Sequence, residues 1–344
     1  MSGFMSGLVL SLWLVPLLAA GVVQGLLHDP RQQRGVAIGV AWLVFAAALV
    51  LLVINGSDDA FARDDIELGP VFLSLHYHMA VDGLHAVLLP MTAAVALAAL
   101  LSAPRSDLRG DTTARILVVE GALLGALLSF DAALLSLFWV ASMVPLWQDT
   151  RRSGSRPLHV ILTLAFGATI AALLVAVVLL GVHGAENGLP APLDLLAISR
   201  AGVAPPAAVG WLFLFVGLLR MGIVPMHLWL TAAASRAPGY SAMLAVLTPL
   251  GSFALARVVM PLFPQVCEQA SSPLVILGAV TAVYGALLAV GQHDLRRVLA
   301  YFWVSQMGLV LASLAALNAP SVAGALMQAM SSVVLERISP VVGS

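Results

Sequence analysis

Glu120, in "RILVVEGALLGALLSFD", and Arg220, in "GLLRMGIVPMHLWL", are ionisable residues set in the middle of apolar runs, and His227 follows Arg220 by two helical turns. A carboxylate and an imidazole can take up and release protons near neutral pH, so such residues are candidates for a proton path. A guanidinium keeps its charge at any accessible pH, which makes Arg220 a fixed cation. A charge at the centre of a membrane span costs about 2.5–3.5 kcal/mol on insertion scales, so Arg220 requires a counter-charge or nearby water. Glu120, the only central carboxylate, is the natural counter-charge. Two readings stay open: a static ion pair that locks two helices, or a section of an ion-conducting row. Pro225 removes an intrahelical hydrogen bond just past Arg220 and is expected to break or kink that span. Broken helices in transporters often mark ion sites, because their freed backbone groups can face a cavity. His227 beyond the break is either a histidine satisfied by freed carbonyls or a proton relay.

Other candidates have simpler roles. Asp82, in "HMAVDGLHAVLLP", opens a span and is expected to cap it. Asp294 sits with Arg296 and Arg297 in a short loop, where a structural or capping role is expected. His76, His78 and His85 fall near one another in sequence, but no span carries two buried histidines facing matching ones elsewhere, and no haem is expected. Cys267 is the single cysteine, which excludes an internal disulfide, a cysteine metal site and an iron–sulfur cluster. The sequence holds no Walker motif, dinucleotide fingerprint or Ser-His-Asp pattern. The expectation is therefore no cofactor, no metal and no catalytic centre within the chain.

The elements that position these residues follow from composition. Hydrophobic residues make up 61% of the 344, charged residues 10%, and mean hydropathy is +1.02. A soluble domain carries about 25% charged residues, so this is a multi-span membrane protein. All sixteen basic residues are arginine, and no basic tract supports nucleic-acid binding. The N-terminus lacks the basic start of a signal peptide and reads as a retained first span. Apolar segments long enough to cross a bilayer occur at roughly 6–27, 35–54, 81–102, 114–130, 132–147, 158–183, 208–231, 241–262, 273–291, 298–317 and 321–335, about eleven spans in all. With the N-terminus outside, Arg31, Arg34, Arg105, Arg109, Arg115, Arg151, Arg152, Arg156, Arg236, Arg296, Arg297 and Arg337 fall inside. Only Arg63 and Arg200 then fall outside, the asymmetry that the positive-inside rule demands.

Several stretches resemble the antiporter-like subunits of respiratory complex I, closest to chain M (chain 4 in mitochondria), a family that includes Mrp antiporter and membrane-hydrogenase subunits. They are "HYHMAVDGLHAVLLPMTA", "LVVEGALLGALLSFDAALLSLFWVASMVPLW", "LLRMGIVPMHLWL" and "YGALLAVGQHDLRRVLAYFWVSQMGLVLASLAALN", in the family's order over most of residues 70–332. The resemblance implies an all-α polytopic fold with two inverted five-helix repeats, each with a broken helix, and a mid-membrane row of charges that carries protons. On that frame residues 1–113 are the first three spans, 114–262 the first repeat with the broken seventh helix, and 263–344 part of a second repeat, ending before the family's last three spans.

Against the family's relay the sequence departs at four places. Val140 replaces a glutamate, Arg220 aligns with a lysine, Pro249 stands where a second lysine belongs, and Ser332 replaces a histidine. Glu120, His227 and Asp82 match family positions. Valine, proline and serine cannot take on these acid or base roles, and arginine cannot release its proton. The expected function is a degenerate membrane subunit of a complex I-like NADH–quinone oxidoreductase, impaired in proton translocation, in a bilayer such as a bacterial inner membrane and beside sibling subunits. An Mrp-type antiporter or hydrogenase subunit is the alternative, and a stand-alone secondary transporter a third.

Overall fold

The computed structural model describes residues 2–55, 62–67, 76–81, 83–102, 110–152, 156–236 and 247–335. It divides into two compact units, Met1–Pro145 and Leu146–Ser344.

The first unit contains α1 (Ser2–Gly25), α2 (Pro30–Asn55), β1 (Ala62–Glu67), β2 (His76–Val81), α3 (Gly83–Ser102), α4 (Gly110–Leu128) and the larger part of α5 (Ala132–Arg152). Helix α4 packs on α1, where a Cβ at Gly121 would lie 2.8 Å from the Trp13 carbonyl oxygen. The turn into α5 is made by Asp131, whose Oδ1 accepts from the Ala133 and Leu134 amides at 2.8 and 3.1 Å. This is the N-cap that stops one span and starts the next within four residues.

The all-α expectation needs one correction. Residues expected as an outer loop include an antiparallel hairpin in which Ala62 pairs with Val81 and Glu67 with His76. In the run "HYHMAV" only Tyr77 and Val81 are of the types that favour a pleated surface. The junction of α4 and α5 satisfies β2's backbone: Phe130 N–H donates to the His78 carbonyl at 2.9 Å, and Met79 forms a bridge with Ser129.

The second unit continues with α6 (Arg156–Glu186), α7 (Leu195–Ala201), α8 (Ala207–Met221), α9 (Leu228–Arg236), α10 (Pro249–Leu262, with a π-helical turn over Leu255–Val259), α11 (Pro264–Val290), α12 (Leu295–Ala315) and α13 (Ala319–Leu335). The short α7 is absent from the span reading because seven residues are too few to cross a bilayer. Asp194 caps its start and Leu195 and Ile198 bury one face. Helix α11 starts nine residues before the expected span, at Pro264, and carries Pro273 inside it. Neighbouring helices re-satisfy a proline break in a membrane helix. Helices α11 and α12 approach through small residues: a Cβ at Gly278 would sit 2.6 Å from the Ala312 nitrogen, and one at Gly308 2.5 Å from the Ala282 nitrogen.

Six described helices are long and apolar enough to cross a membrane, and three shorter apolar ones lie at Val87–Leu101, Ala207–Met221 and Pro249–Leu262.

Candidate functional site

The seventh span is interrupted, as Pro225 led one to expect, but the stop comes three residues earlier. Gly222 adopts φ 70° and ψ 39°, the left-handed conformation that costs an L side chain about 1–2 kcal/mol. Its N–H donates to the Leu219 carbonyl and the Ile223 N–H to the Leu218 carbonyl, both at 3.2 Å. That pair of bonds is a Schellman cap. Trp229 Nε1 reaches back from α9 to the Leu219 carbonyl at 2.8 Å, so the half-helix end is closed by side chain as well as backbone.

Arg220 stands one residue inside this cap, 1% exposed, with its cation beside the negative end of the helix dipole. Its Nε donates to the Leu247 carbonyl at 2.9 Å. That carbonyl lies just before α10, and among the described residues no backbone N–H of the helix's first turn donates to it. Around the proline, Gly251 N–H donates to Thr248 at 3.1 Å, leaving the Leu247 oxygen open to the guanidinium. Helices α8 and α10 nearly touch here: a Cβ at Gly251 would lie 2.5 Å from the Gly217 oxygen and 2.7 Å from Met221 Cγ. Arg220 thus bonds the backbone two residues before Pro249, the other position singled out in the sequence.

His227 lies at the far edge of the break, 4% exposed. Its own carbonyl accepts from Leu230 and Thr231 at the start of α9, at 3.0 and 3.3 Å. Its Nε2 lies 3.4 Å from the Tyr284 hydroxyl, with the rings edge to face at 5.2 Å, and the Tyr301 ring stands 6.4 Å away. Thr281, one turn before Tyr284, accepts the Val224 N–H at 3.3 Å. The linker Gly222–His227 is therefore held by α11 as much as by its own two half-helices.

Glu120 belongs to the first unit and is completely buried in α4 among Ile116, Leu117, Leu123 and Leu124. Neither carboxylate oxygen has a hydrogen-bond partner among the described residues. Arg220 belongs to the second unit, so the two ends of the expected pair are described separately. Val140 is half-buried on α5. Asp294 caps α12, accepting from the Arg296 amide at 3.0 Å. Ser332 falls within α13, and Asp82 lies outside the described residues. Among the described residues no group of three or more His, Cys, Asp or Glu could hold a metal. Of the histidine trio, His78 is buried and stacks on Phe130 at 5.2 Å.

The sequence reading did not single out Gly222, Trp229, Thr281, Tyr284, Tyr301 or the buried cap Asp131. Asp131 carried a usable signal, an aspartate between two apolar runs; the tyrosines lie in a stretch that carries the family resemblance, but nothing there pointed to His227.

Residues 121–337, more than half the chain, match the family model described as NADH:quinone oxidoreductase/Mrp antiporter, TM. The chain belongs to this family. Relatives include the F(420)H(2) dehydrogenase subunit M of Methanosarcina mazei, 28% identical over 275 residues, covering 76% of the chain and 55% of that protein. A second is an NAD(P)H-quinone oxidoreductase chain 4 of a Picosynechococcus, 32% identical over 274 residues, covering 75% and 48%. The chain thus spans about half the length of these curated relatives. In fold it is similar to a chain of respiratory complex I from Thermus thermophilus, TM-score 0.78 at 21% identity over 95% of the chain and 68% of that one. It is similar too to a chain of the Mrp complex from a Dietzia, TM-score 0.78 at 23% identity over 97% and 63%.

Proposed function

We propose that the chain is an antiporter-like membrane subunit of a complex I-like NADH–quinone oxidoreductase in which the proton relay is replaced by fixed structure. One observation carries the proposal: Arg220 binds the Leu247 carbonyl two residues before Pro249. At two of the family's lysine positions this chain has a guanidinium that keeps its proton and a proline that has none to give. Together they make a clamp between α8 and α10. Val140 and Ser332 remove two further acid–base groups from the row. Glu120 is a fixed buried group in this reading rather than a relay group, since neither of its oxygens has a hydrogen-bond partner among the described residues. The fold is about eleven spans with the N-terminus outside, supported by the arginine asymmetry. The repeats run over 114–262 and, in part, 263–344. Sibling membrane subunits are its partners, and the redox chemistry belongs to them.

The test is Glu120→Gln in native membranes, with subunit assembly and proton flux measured together. Reduced assembly at unchanged flux per assembled complex is expected. Full assembly with lost flux would overturn the fixed-charge reading and reinstate Glu120 as a relay group. A second assignment, to an Mrp-type or hydrogenase-linked assembly, is favoured by the equal structural similarity to the Mrp complex. Co-purification from native membranes separates the two by the subunits that come down with the chain.

A further inference from the structure

On the α9 side of the break, a cavity of about 290 Å³ opens between the first turns of α6 and α12 and the helix α9. One wall is polar: Arg297, Tyr301 one turn further along α12, and Thr231 on α9. The other is apolar, with Ile161, Pro157 and Leu228, the last 52% exposed. None of the residues that line it is acidic. The nearest aspartate in sequence, Asp294, is committed to the Arg296 amide at the start of its own helix.

We infer that this cavity binds the headgroup phosphate of an anionic phospholipid, with Arg297 as the charged ligand and the Tyr301 hydroxyl as a further donor; the Thr231 hydroxyl, which lines the same wall, donates to the Leu228 carbonyl at 3.3 Å. Three features converge on that chemistry. A guanidinium is suited to phosphate oxygens, with several N–H donors in one plane. The exposed Arg156 and Arg296 flank the site in sequence, and two helices begin beside it, so the local field is positive. Basic pockets between membrane helices at the arginine-rich face suit acidic lipid headgroups. The apolar wall decides between a lipid and a free anion. Leu228 and Pro157 offer nothing to inorganic phosphate, but they give the upper part of an acyl chain a surface to lie on. The cavity is also several times the roughly 30 Å³ that one water occupies, so there is room for a headgroup. The site shares Tyr301 with the surroundings of His227 but does not depend on the role given to that histidine.

The experiment uses the full chain purified in detergent, exposed to phosphatidylglycerol or phosphatidylcholine and followed by native mass spectrometry. The wild type is expected to retain phosphatidylglycerol in preference to phosphatidylcholine. Arg297→Gln should weaken that retention about tenfold, the scale of one lost charged hydrogen bond, while Arg296→Gln, which removes only a flanking charge, should weaken it much less. If Arg297→Gln fails to fold, Thr231→Glu sets a carboxylate against the phosphate and must give the same loss. Equal retention of the two lipids, or equal effects of the two arginine changes, would overturn the assignment. Displacement of phosphatidylglycerol by millimolar inorganic phosphate would also overturn it and leave a plain phosphate site.

Discussion

Gly222→Ala tests the break itself, because the sign of its effect depends on whether the break exists. In an unbroken helix, alanine is favoured over glycine by roughly 0.5–1 kcal/mol, so the variant would gain stability. With φ at 70°, the new Cβ clashes with its own backbone at about 1–2 kcal/mol, and the variant must lose stability. Packing adds little to either figure. The Cβ would meet Leu230 Cδ2 at 3.0 Å, the tip of a flexible side chain that can turn aside. The two outcomes therefore differ by about 2 kcal/mol, with opposite signs. Unfolding the purified chain in mixed micelles, followed by the fluorescence of its seven tryptophans, would resolve that difference. Gly188→Ala serves as a reference. It has a similar φ of 68° with no atom near the added Cβ, so it should lose a similar amount through backbone strain alone. A neutral or stabilised Gly222→Ala beside a destabilised Gly188→Ala would refute the Schellman cap and with it the interrupted seventh span.

Gly251→Ala should cost about 1–3 kcal/mol, an overpacking effect, since its Cβ would meet backbone that cannot turn aside; the same unfolding measurement reads it. Asp131→Ala should cost about 1–2 kcal/mol by uncapping α5, and Asp131→Asn should recover most of it. Trp229→Phe removes the donor to the Leu219 carbonyl and should cost about 1 kcal/mol, with faster hydrogen exchange at Gly222 as a local readout. Ser305→Ala deletes the bond to the Ala282 carbonyl at 2.8 Å and should cost about 0.6 kcal/mol, because membrane hydrogen bonds between helices are modest.

How far the molecule was legible in its sequence depended on the range of each interaction. Asp131 interrupts two apolar runs, so the boundary between α4 and α5 fell where the hydropathy placed it. The break was legible from Pro225 but misplaced, because glycine is common in membrane helices and nothing local marks Gly222 as left-handed. The π-helical turn in α10 stayed hidden because it lies within an apolar run that suits a regular helix equally well, and the strand "HYHMAV" because only Tyr77 and Val81 in it favour a strand. Arg220 announced itself as an expensive charge that must be satisfied. What satisfies it through Nε, a backbone oxygen 27 residues away, has no signature in side-chain pattern. Tyr284 lies 57 residues from His227, and no periodicity spans that distance.

The tie between the broken span and α11 also orders biosynthesis. Gly222–His227 leaves the ribosome well before Thr281, Tyr284 and Tyr301, which hold its N–H and its imidazole. Until the α11–α12 hairpin has entered the bilayer, the six-residue linker has no hydrogen-bond acceptor from that side and two half-helices too short to cross alone. Nascent chains arrested before residue 281 would therefore carry an unfinished seventh span in the insertion machinery, released when the downstream hairpin arrives to complete it.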